Sequence, residues 1–434
     1  MNKGRVGYLY AHGLYAGEVA EVDTEQGSEY HFTYSASYIK RGLPRVGLDL
    51  PVREQPYIKN SLQPFFANLM SEGWVKRYQS RLSRLDQEDK FGLLLAHGEE
   101  LIGPLSIMTE FMGDVMAWAQ QTTLAVKNLS GYQIDFPRSE FDAVAIRSLG
   151  KASISGVQPK MFLDIAQNKH IKSLTDSDGI GPYIVKPSPD EFPELAENEF
   201  MIMRLCKRAG FNVADHYLIP FSCGEMAYVT TRFDIGKEGK LPDFIEDMAS
   251  VMSVAPGNKS DSRLSYEMVI KVAHAACGNH AQVLIEGFRQ VVMAYLVGNN
   301  DMHLKNLSLT RSKASNTASG FTPVYDMLSV APYPVYDHSG YLSIPLLEME
   351  ARDGHYTTSY EQYGYYTRHD FLQLANEIYL GEKMASKLIE QLIKKVEKVA
   401  YETIMGSPGS DHLKSMILQR VQNRITALNR PAMK

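Results

Sequence analysis

Hydrophobic and polar positions alternate with period two near the start of the chain and recur at helical spacing over most of its second half. Val6-Gly-Tyr-Leu-Tyr-Ala and Tyr15-Ala-Gly-Glu-Val-Ala flank His12-Gly13. With the alternating run Tyr30-His-Phe-Thr-Tyr34, this predicts a hairpin that turns at His12-Gly13, followed by a third strand. From Ser61 the pattern becomes helical, first over Leu62 to Met70, then, after Glu72-Gly73, in a basic amphipathic segment reaching about Leu85. Its aromatic residues read as core-facing, and Lys76, Arg77, Arg81 and Arg84 as a solvated face or a surface for a partner. Another helical stretch carrying Trp118 is predicted between Met108 and Leu129. Strands follow at Met161 to Ile165 and Tyr183 to Lys186, then a helix over Phe192 to Gly210 with Gly210 as its stop. Val213 to Ile219 and Met226 to Asp234 are predicted strands joined by a turn at Ser222 to Glu225. Helices are predicted at Ser265 to Ala276, Ala281 to Val297, Arg368 to Leu380, Lys383 to Ile404 and Asp411 to Leu428.

Length and composition narrow the class. At 434 residues, 44% hydrophobic and 22% charged, the chain has room for two or three domains with their own cores. A net charge of −5 excludes a protein that coats nucleic acid through bulk charge, though not one that meets DNA inside a complex. Cys206, Cys223 and Cys277 are widely spaced, so neither a disulfide framework nor a CxxC metal site is expected, and Cys277 near His274 reads as core packing. The longest apolar runs, such as Val291 to Val297, fall short of the ~20 residues a membrane span needs. A cytoplasmic protein with no membrane partner is expected.

The candidate chemistry lies where the apolar run at Met293 breaks into Asp301-Met-His-Leu-Lys-Asn306 and resumes as a short strand. A carboxylate and a carboxamide five positions apart on one loop is phosphoryl-transfer spacing, because a kinase loop presents a proton-accepting Asp and a Mg²⁺-holding Asn to the same γ-phosphate. Asp301 and Asn306 fit those roles. Asp326, after the apolar segment from Phe321, would supply a second oxygen ligand of the kind Mg²⁺ prefers. Taken singly, Asp301 also reads as a helix-end residue and Asp326 as the start of a turn. Upstream, Lys151 to Lys160 is a small-residue polar stretch whose backbone amides suit phosphate groups, although its one glycine matches neither a Walker loop nor GxGxxG. Lys186 ends a strand, and Glu199 lies on the next predicted helix, with Glu194 and Glu197 as competing partners for the lysine. Thr231-Arg-Phe-Asp234 leaves the last strand where a hinge would contact adenine. The tyrosines of Tyr356 to Tyr366 read either as a contact surface or as a packed aromatic cluster.

In this order, Ser-Ile-Ser-Gly-Val-Gln-Pro-Lys160, Val-Lys186, Asn-Glu199, Arg-Phe-Asp234, Asp301 to Asn306 and Tyr-Asp326 resemble the HipA-type serine/threonine kinases, toxins of bacterial toxin–antitoxin pairs. The resemblance covers nearly the whole chain, including Phe65 to Leu69 and Glu72-Gly73 of the first domain. It implies ATP and Mg²⁺ as cofactors. By the same resemblance, Ser155, Gly156, Val157, Gln158, Pro159 and Lys160 form the phosphate loop, Lys186 and Glu199 act at the phosphates, and Thr231, Arg232 and Phe233 hold adenine. His303, Lys305 and Tyr325 would add nucleotide contacts, Asp301 would be the base, and Asn306 and Asp326 the metal ligands. Ser153 and Ser155 match a serine pair at which the family inhibits itself by autophosphorylation. The implied partners are a small DNA-binding antitoxin of HipB type, with DNA contact only within that complex, and a protein substrate, the recurring class being aminoacyl-tRNA synthetases.

The expected fold is therefore α+β: a two-lobed kinase-like fold with a small β-rich subdomain at residues 1–110, a kinase N-lobe at 111–234 and a helical C-lobe at 235–434. A small-molecule or lipid kinase of similar architecture and a non-catalytic co-repressor are the alternatives. Retention of Lys186, Asp301, Asn306 and Asp326 argues against the second.

Overall fold

In the computed structural model His12 and Gly13 both adopt positive φ, 53° and 73°, the turn that matches the twist of two antiparallel strands. The structure describes residues 2–114, 128–150, 154, 156, 158–166, 172–177, 181–236, 241–334 and 341–430. These form two compact units, one of residues 1–189, 217–256 and 310–318, the other of 190–216, 257–309 and 319–434.

The first unit opens with a five-stranded sheet. β1 (Asn2–Ala11), β2 (Leu14–Thr24), β3 (Gly27–Tyr34), β4 (Tyr57–Lys59) and β5 (Leu105–Met108) lie in the order β4-β3-β2-β1-β5. Alternation places Leu9, Val19 and Phe32 on one face, where they pack with Phe65, Phe66, Phe91 and Leu94 from short helices. Each such fully buried side chain contributes roughly 1.5–3 kcal/mol. A second sheet contains β6 (Gln133–Ile134), β7 (Met161–Ile165), β8 (Ser173–Asp176), β9 (Tyr183–Pro187), β10 (His216–Pro220) and β11 (Met226–Thr231), ordered β10-β11-β9-β7-β8-β6. β7 pairs antiparallel with both β8 and β9, and β9 antiparallel with β11. The helix Phe141–Ser148 packs on this sheet, and Phe141, Leu149, Met161, Tyr183 and Val229 are all buried in its core.

Helices dominate the second unit. The helix Ala281–Val297 buries every residue from Gln290 to Val297, as expected of a helix apolar all round. The long helix Glu382–Met405 packs against Leu195–Arg208, Arg368–Glu377, Asp411–Leu428 and Ala281–Val297. The tyrosines of Tyr356 to Tyr366 pack ring against ring, with Tyr366 buried and Tyr356 still exposed. The rings of Tyr356 and Tyr360 stack at 4.5 Å, Tyr360 and Tyr366 are 4.8 Å apart, and the Arg430 guanidinium lies 4.6 Å from the Tyr363 ring.

One expectation changes. Met108 closes β5 instead of opening a helix, and residues 109–114 and 128–129 are not helical; the rest of that stretch, Trp118 included, lies outside the described residues. Arg311 ends the short strand Ser308–Arg311 and is 2% exposed. Its guanidinium donates to the Arg45 carbonyl at 2.7 Å and sits 4.1 Å from the Phe244 ring. A cation satisfied in this way has no need of solvent. No helix among the described residues is long and apolar enough to cross a membrane.

Candidate active site

The candidate loop, residues 301–306, is set up by the end of the helix before it. Gly298, at φ 71°, donates its N–H to Tyr295, and Asn299 donates to Ala294, the paired bonds that close a helix through a left-handed residue. Asn299 is fully buried; its Oδ1 accepts the Asp301 N–H at 2.9 Å and its Nδ2 donates to Met327 Sδ at 3.0 Å. The loop then folds on itself. The Asp301 carbonyl accepts from the His303 N–H at 2.8 Å and from Asn306 Nδ2 at 2.8 Å, so the two residues five positions apart are joined by a hydrogen bond. The Tyr266 hydroxyl donates to the Met302 carbonyl at 2.7 Å, and the Tyr325 hydroxyl to the Lys305 carbonyl at 2.8 Å. Burial pushes the Tyr266 phenol far up, which keeps it a donor. Asp301 itself is exposed, while His303 and Lys305 are buried at 7% and 5%.

Asp326 follows Tyr325 in a left-handed conformation, φ 52°, which Asp tolerates better than most residues. The residues after it are anchored in the same unit by Asn198, described below. Asn306, with its nitrogen committed to the Asp301 carbonyl, offers its side-chain oxygen as a neutral ligand. One carboxylate and one carboxamide, both oxygen donors, suit Mg²⁺, which takes its remaining positions from phosphates and water. No cluster of three or more His, Cys, Asp and Glu side chains able to hold a metal occurs among the described residues, and a site of this kind does not require one.

The first unit carries the residues read as nucleotide contacts. Lys186, 4% exposed, lies on β9 opposite Tyr228 of β11, its Nζ 5.5 Å from that ring. Lys160 is 3% exposed and folds under Gly156, where a Cβ would overlap its Nζ; Gly156 also has φ 108°, open only to glycine without strain. Gln158 Nε2 donates to the Pro187 carbonyl at 3.3 Å, fastening the loop to the end of β9. Ser153, Ser155 and Val157 lie outside the described residues. Thr231 ends β11, and its buried hydroxyl has no hydrogen-bond partner among the described residues. Such a group costs free energy unless something polar reaches it. Arg232 is turned away to a buried pair with Asp234, at 2.6 Å, leaving Thr231 as the polar side chain of that segment suited to a ligand. Two buried lysines, a positive-φ glycine and an unsatisfied hydroxyl are consistent with a polyanionic nucleotide.

Lys186 thus belongs to the first unit, and Glu199, wholly buried, to the second. Asp301, His303, Lys305, Asn306, Tyr325 and Asp326 fall together in the second. The sequence reading gave no role to Tyr266 or Asn299, which carry hydrogen bonds that shape this loop, or to Asn198, which holds the segment after Asp326. Asn299 follows the helix-ending glycine and so had a local signal; Tyr266 lies 36 residues before its acceptor and had none.

The family model for the HipA-like C-terminal domain matches residues 152–400, and that for the HipA N-terminal domain matches residues 9–108. A Haemophilus influenzae protein named "Putative kinase" is 35% identical over 311 residues, covering 68% of this chain and 88% of its own. The Shewanella oneidensis serine/threonine-protein kinase toxin HipA is 24% identical over 300 residues, 64% of this chain and 65% of that one. A solved structure of the Shewanella HipA, HipB and operator DNA complex matches with a TM-score of 0.70 at 19% identity, over 96% of this chain and 97% of that one. That likeness bears out the α+β, two-lobed kinase-like fold with a β-rich N-terminal part and a helical C-terminal part. The chain belongs to the HipA family of kinases.

Proposed function

We propose that the protein is a serine/threonine protein kinase that uses Mg²⁺-ATP and acts as the toxin of a toxin–antitoxin pair. The observation that carries the chemistry is the hydrogen bond from Asn306 Nδ2 to the Asp301 carbonyl, which fixes a carboxylate and a carboxamide on one tight loop. In this reading Asp301 accepts the proton of the substrate hydroxyl, and Asn306 and Asp326 hold the metal. Lys186 and Lys160 neutralise phosphate charge, and Thr231 with the backbone near Phe233 meets adenine. Mg²⁺, when bound, neutralises charge building on the phosphates; the protein's own part is to hold donors and acceptors in fixed positions. The division of labour follows the domains: residues 1–110 form the β-rich subdomain, 111–234 the nucleotide-holding lobe and 235–434 the catalytic lobe.

Asp301→Ala tests the base. General-base removal is expected to lower transfer by about 10²–10⁴-fold while ATP affinity by calorimetry stays within a few-fold. Unchanged transfer removes Asp301 from that role.

The Shewanella relative crystallised with HipB and operator DNA supports a small DNA-binding antitoxin as partner, with DNA reached through that complex. For the substrate, the resemblance supports a tRNA-charging enzyme, so that the cellular outcome is arrest of translation. Phosphoproteomics after controlled expression of wild type and Asp326→Ala tests both ideas, and equal toxicity from the two proteins separates toxicity from catalysis. Autophosphorylation at Ser153 or Ser155 would add about −2 charge beside the nucleotide phosphates and lower activity. Mass spectrometry of ATP-treated wild type, Ser153→Ala and Ser155→Ala reads this directly.

A further inference from the structure

The stretch that leads into the phosphate loop is held by side chains from the N-terminal domain. The helix Phe141–Ser148 ends with carbonyls that have no partner inside the helix, and two of the next ones are met from outside. Gln79 Nε2 donates to the Leu149 carbonyl at 3.1 Å. His97 stands between two carbonyls, Nδ1 at 2.8 Å from Gly150 O and Nε2 at 3.1 Å from Gln79 O; the neutral ring donates to one of them and the protonated ring to both. Four residues further, the Ile154 N–H donates to Ser71 Oγ at 3.1 Å. All three side chains are buried, Ser71 and Gln79 at 4% exposed and His97 at 4%. They lie within or at the edge of the helices Gly73–Ser83 and Lys90–His97, inside the segment matched by the N-terminal family model, whereas the C-terminal model begins at residue 152. At the base of the same excursion Ser148 Oγ accepts the Phe162 N–H at 3.4 Å, so both flanks of residues 149–161 are fixed.

We propose that Ser71, Gln79 and His97 are positioning residues for nucleotide binding: through the backbone of residues 149, 150 and 154 they set where the phosphate loop ending at Lys160 begins. The proposal rests on reading residues 155–160 as that loop. It gives the N-terminal domain a part in the kinase reaction that its fold alone does not suggest. A misplacement of about 1 Å at a phosphate contact is costly. A tether at its root, made by buried hydrogen bonds, fixes where the loop begins. The affected step is engagement of phosphates, so ATP should suffer and adenosine should not.

The test uses the full-length chain with Ser71→Ala and Gln79→Met, which preserve volume closely, alone and combined, and Lys160→Ala as a control on the loop itself. Calorimetry with ATP and with adenosine, steady-state kinetics in ATP, and amide exchange at Ile154 are read on each. The expected result for the double variant is a rise in ATP KM of about 5–30-fold with kcat within about threefold. Adenosine affinity is unchanged and Ile154 exchanges faster. Should Lys160→Ala weaken ATP while the double variant does not, or should the double variant weaken ATP and adenosine alike, the positioning role is wrong and the side chains only cap a helix. Should Lys160→Ala leave the preference for ATP over adenosine intact, the phosphate-loop reading itself fails.

Discussion

The Asn198 carboxamide closes on the backbone of Ser329 from both sides: Nδ2 donates to the Ser329 carbonyl at 2.7 Å and Oδ1 accepts the Ser329 N–H at 2.9 Å. Asn198 is wholly buried and precedes Glu199 on the helix Leu195–Arg208, while Ser329 lies three residues after Asp326. One side chain therefore couples the helix that carries the glutamate to the segment that carries the candidate metal ligand.

Asn198→Ala leaves two buried backbone groups unpaired. A loss of about 2–4 kcal/mol in stability is expected, read by calorimetric unfolding. Asn198→Asp should not rescue it, because a carboxylate cannot donate to the Ser329 carbonyl. Full stability in either variant would show that Ser329 finds other partners.

The buried pair of Arg232 and Asp234 gives a double-mutant prediction. Burial pushes the Asp234 carboxyl up, but the adjacent Arg232 charge outweighs it and the net shift is down. This stability is present above the ordinary carboxylate pKa and is lost as pH falls through the depressed one. Asp234→Leu strands a buried guanidinium and is expected to cost about 3–5 kcal/mol, whereas Arg232→Met with Asp234→Leu should cost less than the single change. A double variant less stable than Asp234→Leu would mean that Arg232 contributes through more than this pair, for instance through its position 4.5 Å from the Phe162 ring.

Two carboxyls set a pH dependence of opposite sign. Glu350 accepts from Tyr366 at 2.6 Å and from the Leu346 N–H at 3.0 Å, and Glu246 accepts from the Leu48 N–H and Ser250, both at 2.7 Å. Burial raises each from the usual 4.5 to about 7. The folded chain then binds these protons more tightly than the unfolded one, so their contribution is complete below pH 4.5 and declines as pH rises to about 7, by on the order of 3 kcal/mol each. Melting temperatures across that window should fall less steeply in Glu350→Gln or Glu246→Gln, and least in the double variant.

Chelation of Mg²⁺ tests the oxygen ligands without any assay of transfer. With EDTA the wild-type affinity for ATP should drop by about tenfold or more if Asn306 and Asp326 hold a cation that neutralises phosphate charge. Asp326→Asn, which tolerates the same left-handed backbone, should respond by less than about threefold. An undiminished response in that variant would move the metal away from Asp326.

The regular elements with strong periodicity were legible from the residues. Ala281–Val297 and Asp411–Leu428 have the bounds that their spacing predicts, and the turn at His12-Gly13 is where the pattern breaks. The short pieces were not. Leu105–Met108 is only four residues long and buried from Leu105 to Ile107, so it has no alternation to read, and Lys90–His97 is too short and too apolar for its helical period to stand out. The spacing of Asp301 and Asn306 identified the loop. Its support at Tyr266, and the anchor of the segment after Asp326 at Asn198, did not emerge, because a hydrogen bond to a backbone carbonyl 36 residues away, or to both groups of a residue 131 away, leaves no local pattern.

Arg311 has a consequence for the newborn chain. Its guanidinium satisfies the Arg45 carbonyl 266 residues earlier in the sequence, and residues 310–318 are integral to the first unit. At a synthesis rate of about 5–20 residues per second, roughly 15–50 s separate the two halves of that contact. The amino-terminal unit therefore cannot finish folding as it leaves the ribosome; it waits for a segment made after Asp301 and Asn306. Translation order thus makes a completed first unit a later event than the making of the loop at residues 301–306, and any chain that terminates before Arg311 leaves the Arg45 carbonyl and the Phe244 ring without the cation that joins them.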